Sequence, residues 1–120
     1  MTKKTLILGA SENPARYAHE AAHRLAQAGH PIVNVGQRAG TVAGAPIHTG
    51  QPEVDGVHTV TLYVGADRQP ALYDYILKLR PQRLIFNPGT ENPELAQLAG
   101  QHGIYAEEAC TLVLLATGQY

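Results

Sequence analysis

Residues 5–36, TLILGASENPARYAHEAAHRLAQAGHPIVNVG, decide the fold. With the preceding lysine, they open on Lys4-Thr5-Leu6-Ile7-Leu8-Gly9, a short apolar run whose near-continuous hydrophobicity suits a strand buried on both faces of a parallel sheet. Beyond a turn, Ala18, Ala21, Ala22, Leu25 and Ala26 recur at helical spacing while His19, Glu20, His23, Arg24 and Gln27 take the other side, as an amphipathic helix requires. Asn13 is placed to cap the free amides, Pro14 suits the first helical position, and Gly29 suits a left-handed stop. Pro31–Gly36 then reads as a second strand. The whole has the length of a parallel crossover, which is expected to be right-handed.

Outward from this unit the alternation continues. Gln37–Gly56 is rich in glycine and proline and predicts a loop-rich connection with a short edge strand around Val42 or Ile47. Val57–Val64 alternates, with His58, Val60, Leu62 and Val64 on one face and Thr59, Thr61 and Tyr63 on the other, and reads as a strand. Pro70 opens a second helix with a Leu72, Ile76, Leu79 stripe that Arg80-Pro81 stops. Leu84–Phe86 is a strand, Asn92-Pro93-Glu94 starts a third helix carrying Leu95, Leu98 and Ala99, and Ile104–Ala106 is a short last strand. The run Leu112–Leu115 fits a buried strand or a buried helix; Glu107 and Glu108 would favour the positive end of a helix and tip the reading that way. The expectation is a single domain over residues 1–120: a Rossmann-like, doubly wound α/β fold with a mainly parallel sheet of five or six strands and helices on both faces.

Composition excludes several classes. A formal net charge of -1 provides no basic field for nucleic acid. The first apolar run is interrupted by Glu12, Asn13 and Pro14, so neither a secretory signal nor a membrane span is expected, and a cytoplasmic location is the default. A single cysteine, Cys110, excludes an internal disulfide or a multi-thiolate zinc site, and the six histidines form no recognised ligand motif, so no metal is expected.

In a doubly wound sheet, ligands bind beyond the carboxyl ends of the strands where strand order reverses. Three segments are expected to converge there: Gly9-Ala10-Ser11-Glu12-Asn13-Pro14, Asn34-Val35-Gly36-Gln37-Arg38, and Asn87-Pro88-Gly89-Thr90, with Val64-Gly65-Ala66-Asp67 beside them. Gly9 allows a ligand to approach the backbone, and helix-start amides favour phosphate oxygens. Ser11 adds a hydroxyl and Arg16 a planar charged fork; Tyr17 lies next to the turn. The turn departs from G-x-G-x-x-G, since Ser11 and Pro14 stand where the later glycines would, and Asn34–Arg38 lacks the acid that binds an NAD ribose. Arg38 instead points to an extra phosphate, as on coenzyme A or NADP. No acid, base and nucleophile converge, so no catalytic residue is assigned; Cys110 reads as a packing residue, and His19 and His23, one turn apart, as solvated.

With these residues in view, the chain resembles the small CoA-binding-domain proteins, relatives of the nucleotide-binding domain of the succinyl-CoA synthetase alpha subunit. The likeness rests on Gly9-Ala10-Ser11, Pro14, Arg16, Gly29-His30, Asn34, Gly44 and Pro88-Gly89, and covers nearly the whole chain. It implies coenzyme A or an acyl-CoA held by Gly9–Ser11, Arg16, Asn34–Arg38, Val64 and Pro88-Gly89. Where the family often reads Asn-Pro, this chain reads Asn34-Val35. Nothing corresponds to the synthetase domain that carries the phosphorylated histidine, so synthetase activity is not implied. The function expected is a non-catalytic binding or sensing module for this small nucleotide cofactor. The alternative is an NADP-dependent or acyl-CoA-using enzyme whose catalytic residue the sequence does not identify. A homodimer or a protein partner stays open, because Leu112–Leu115 can serve an interface as readily as a core.

Overall fold

A computed structural model describes residues 1–120. Its strands are β1 (Thr5–Leu8), β2 (Ile32–Val35), β3 (Gly40–Val42), β4 (Ala45–His48), β5 (Thr59–Leu62), β6 (Arg83–Phe86) and β7 (Tyr105–Glu108). The helices are α1 (Tyr17–Gln27), α2 (Tyr73–Leu79), α3 (Pro93–Gln101) and α4 (Thr111–Ala116). One seven-stranded sheet runs β3-β4-β2-β1-β5-β6-β7, parallel throughout except for β3 against β4. The doubly wound reading holds, and the strand count exceeds the five or six expected. The surplus comes from Gln37–Gly56, where a full hairpin replaces the single edge strand. Its two-residue turn, Ala43-Gly44, has φ of 53° and 76°. Positive φ at both central positions is the hairpin's signature, and alanine there hides it from a search for Asn-Gly.

The layers follow from side-chain alternation. Leu6, Leu8, Val60, Leu62, Leu84 and Phe86 pack with Ile76 of α2 and Leu95 and Ala99 of α3 on one face. Ile7, Ile47 and Ile85 pack with Ala18, Ala22 and Leu25 of α1 on the other, where Leu114 and Leu115 of α4 join them. The threonine face of β5 is therefore buried too: Thr59 and Thr61 are fully covered. Burial is tolerated because Thr59 Oγ1 accepts from Arg83 Nε at 3.1 Å and Thr61 Oγ1 accepts from Asn87 Nδ2 at 2.7 Å. No helix is long and apolar enough to cross a membrane.

Three boundaries differ from expectation. α1 starts at Tyr17 rather than Pro14, because Asn13 Oδ1 accepts from the Ala15 amide at 3.0 Å and closes a turn before the helix can begin. Pro70 opens a single 3-10 turn, Pro70–Leu72, and α2 proper begins at Tyr73. Glu107 and Glu108 lie in β7, paired with Ile85 and Phe86, and not at the start of α4, although the tail is helical as expected. The α3 cap matches its prediction: Asn92 Oδ1 accepts from the Leu95 amide and Pro93 is the first residue.

At the carboxyl end of β2 the backbones nearly touch, and a Cβ on Gly36 would stand 2.3 Å from the Ala10 carbonyl oxygen. The Ala10 and Gly36 amides are themselves tied to the Val35 and His48 carbonyls at 2.9 Å, so neither segment can move aside freely. Gly36→Ala is expected to cost about 1–3 kcal/mol, the range for an overpacked site, measured as a lower urea midpoint at unchanged m-value.

Candidate functional site

The sequential crossover from β1 to β2 runs to one side of the sheet and β5 lies on the other, so strand order reverses between β1 and β5. Above that point opens a crevice of about 670 Å³. Of the residues expected around a ligand, Gly9, Ala10, Ser11, Arg16 and Tyr17 line it from the β1 side. Arg38 lines it from beyond β2, and Pro88 and Gly89 from beyond β6.

The rest of the expected set is placed differently. Asn34 is fully buried, and its Nδ2 donates to the Val42 and Ala45 carbonyls at 3.2 and 3.3 Å, which holds the β3–β4 hairpin. Asn87 Nδ2 donates to Thr61 Oγ1 and the Leu62 carbonyl, and its Oδ1 accepts from the Thr111 amide at 2.9 Å, anchoring the start of α4. Val35 and Val64 are core residues, Gly36 is the tight crossing described above, and Pro14 is exposed away from the crevice.

The turn after β1 works differently from its sequence reading. The Gly9 and Ala10 amides both donate to the Val35 carbonyl at 2.9 Å, so neither is left for a ligand. Gly9 itself has φ of 102°, and a Cβ there would meet the Tyr63 carbonyl oxygen at 2.9 Å. The glycine serves the crossing of turn and β5 as well as access. The amides of Ser11, Glu12, Tyr17 and Ala18 donate to no protein group. The last two are free because α1 has no side-chain cap at Arg16. Donors are thus present beyond Gly9 and Ala10, at Ser11 and Glu12 of the turn and again at the start of α1.

Charge collects on the walls. Arg16, Arg38 and Arg68 line the crevice, and Glu12 is its single acid. None of the three arginines forms an ion pair; the only bridges in the molecule are Arg24–Glu20 and Lys78–Glu53. Sequence reading missed Arg68, which sits in a single 3-10 turn, Ala66–Arg68, after β5 with no motif around it; Glu12, Gln37 and Thr90 line the crevice and belong to the segments expected to converge there. Tyr63 is placed by the sequence only on one face of the Val57–Val64 strand. It lines the crevice, and burial pushes its phenol up to about 12, eased by the nearby Thr111 and Thr61 hydroxyls. The phenol therefore stays protonated at neutral pH, and its hydroxyl is buried without a hydrogen-bond partner, so the residue offers the crevice no base.

One wall is braced from behind by Gln69, which is fully buried. Its Nε2 donates to the Val64 and Thr90 carbonyls at 2.9 and 2.8 Å, and its Oε1 accepts from Asn92 Nδ2 at 2.9 Å. The loops after β5 and β6 are held together by this one side chain. Cys110 is half-buried at the start of α4 and does not line the crevice. The His19 and His23 rings lie 4.7 Å apart on α1, and no group of three or more potential metal-ligating side chains gathers anywhere.

The family model described as "CoA binding domain" matches residues 3–116. No curated protein matches the chain. Among solved structures, an uncharacterised protein is 48% identical with a TM-score of 0.97, covering 100% of this chain and 99% of its own. A Thermus thermophilus protein superposes with a TM-score of 0.87 at 19% identity over 99% of this chain and 91% of its own. A hypothetical protein from Pyrococcus horikoshii gives 0.81 at 23% identity over 93% and 80%. The last two show the shared Rossmann-like fold alone. With the match running over nearly its full length, the chain belongs to the CoA binding domain family.

Proposed function

We propose that residues 1–120 act as one domain that binds coenzyme A or an acyl-CoA in this crevice, and that it carries or senses the cofactor without transforming it. The observation that carries the reading is the set of three unpaired guanidiniums around free backbone amides at the strand-order reversal. Coenzyme A presents a diphosphate and a ribose phosphate. The turn amides of Ser11, Glu12, Tyr17 and Ala18 suit the diphosphate, and Arg38, on the opposite wall, suits the ribose phosphate. The volume of about 670 Å³ lies in the range of cofactor clefts. A non-catalytic role is supported by the lining itself, which includes no histidine, cysteine or lysine to act as nucleophile or base near neutrality.

Calorimetry of the purified protein is expected to show saturable, one-to-one binding of CoA and acetyl-CoA, with NADP weaker and no turnover of any thioester. Absence of saturable CoA binding removes the proposal, and steady hydrolysis or transfer of an acyl group replaces it with the enzymatic alternative.

A further inference from the structure

Glu12 is the one acid on a wall built for anions, yet it pairs with none of the three arginines. Its carboxylate instead reaches across to the edge hairpin, where Oε2 accepts from the Thr41 amide at 2.8 Å. The seat for it is made by a missing side chain: a Cβ on Gly40 would stand 2.3 Å from Glu12 Cδ and 2.6 Å from both carboxylate oxygens. The hook therefore joins the turn after β1, which bears the free Ser11 and Glu12 amides, to β3, which begins two residues after Arg38 of the opposite wall.

We infer that Glu12 is the positioning residue of the crevice: by hooking the β1 turn to β3 it sets the separation between the amide donors and Arg38, and so favours a ligand with phosphates at both places. This inference rests on the CoA-binding reading. Two effects of the carboxylate oppose each other, since it repels an anionic ligand while it holds the turn, and they can be separated. Glu12→Gln removes the charge and keeps an oxygen to accept from Thr41. Glu12→Ala removes both. Gly40→Ala keeps the charge and fills the seat, and Gly40 does not have a positive φ, so alanine is acceptable to its backbone.

Calorimetry with CoA is the test, with 3′-dephospho-CoA as the comparison and amide hydrogen exchange of the ligand-free protein as a second readout. Glu12→Ala is expected to bind CoA about fivefold more weakly than Glu12→Gln at equal charge, and Gly40→Ala about fivefold more weakly than the parent, the scale of one ordinary exposed hydrogen bond. Glu12→Gln binds as tightly as the parent or tighter. Dephospho-CoA, which lacks the ribose phosphate, should lose less. In the ligand-free protein the Thr41 amide should exchange faster in Glu12→Ala and Gly40→Ala than in Glu12→Gln. Equal affinity of Glu12→Ala and Glu12→Gln, or equal losses for the two ligands, overturns the positioning role; unchanged Thr41 exchange overturns the hook itself. A parent protein that binds no CoA while the exchange pattern holds defeats the functional reading and leaves the clamp standing as structure only.

Discussion

Replacing Arg16, Arg38 and Arg68 together by glutamine is expected to weaken CoA binding by about two to three orders of magnitude, since a hydrogen bond to a charged group contributes roughly 1.5–3 kcal/mol and exposure reduces that value. All three side chains are exposed at the crevice and none is held by an acid, so their removal should cost binding without costing the fold. Single changes should each lose about tenfold, one charge-assisted contact to phosphate. The same electrostatics requires that parent affinity fall as salt rises, and the triple variant should show a much shallower slope. Calorimetry at two ionic strengths measures both quantities. Parent-like affinity in the triple variant would mean that the ligand's phosphates lie elsewhere, and the crevice would lose its assignment.

Tyr120→Ala should produce the largest loss of stability, about 3–5 kcal/mol, the range for truncating a buried aromatic ring. Tyr120 is 8% exposed, with its ring 4.3 Å from Arg83 Cζ and 5.0 Å from the His30 ring. Thr5 Oγ1 donates to the Lys3 carbonyl, so in the 2.6 Å contact between hydroxyls Tyr120 is the donor. The Tyr120 carbonyl accepts from Arg83 Nη1 at 3.0 Å, while Arg83 Nη2 is buried without a partner. Losing the ring would leave a buried guanidinium held mainly by that carbonyl and Thr59. Tyr120→Phe, which deletes the hydroxyl alone, should cost about 1 kcal/mol. Urea denaturation reads both, and a Tyr120→Ala loss below that of Tyr120→Phe contradicts the account.

The same end of the sheet implies a pH dependence. Burial first, then Lys3 for His30 and Arg83 for His58, lowers both imidazoles below the ordinary 6.5. His30 Nδ1 also accepts from the Lys3 amide at 2.9 Å, a bond that protonation there would break. A histidine whose folded value is depressed contributes stability that is complete above 6.5 and is lost as pH falls from there through the folded value. Unfolding midpoints should therefore drop between pH 7 and pH 5 by more in the parent than in a His30→Gln, His58→Gln double variant, with pH values chosen to bracket the ordinary imidazole range.

How much of this was readable before the structure depends on the range of the interaction. The apolar run at Leu6–Leu8, the helical stripe through Ala18, Ala22 and Leu25, and the Asn92-Pro93 cap are local patterns, and each reappears where it was expected. From their alternation came the doubly wound sheet, and from the sheet the end at which the crevice opens, with Ser11, Arg16, Arg38 and Gly89 on its walls. Backbone donors and side-chain partners were another matter. Whether the Gly9 amide faces a ligand or the Val35 carbonyl depends on how closely β2 lies against β1, and Asn34 and Asn87 find their partners in the hairpin and α4. Glu12 and Gln69 acquire their roles from segments 20 to 30 residues away, through contacts that carry no periodicity, and Arg68 from its place on the crevice wall. The sequence alone determined the order of most elements and the end of the sheet at which the crevice opens, because hydrophobic spacing and turn chemistry act within a few residues. Only the tertiary structure decided which polar groups are spent on the fold and which remain for a ligand, because a hydrogen bond is assigned by proximity in space.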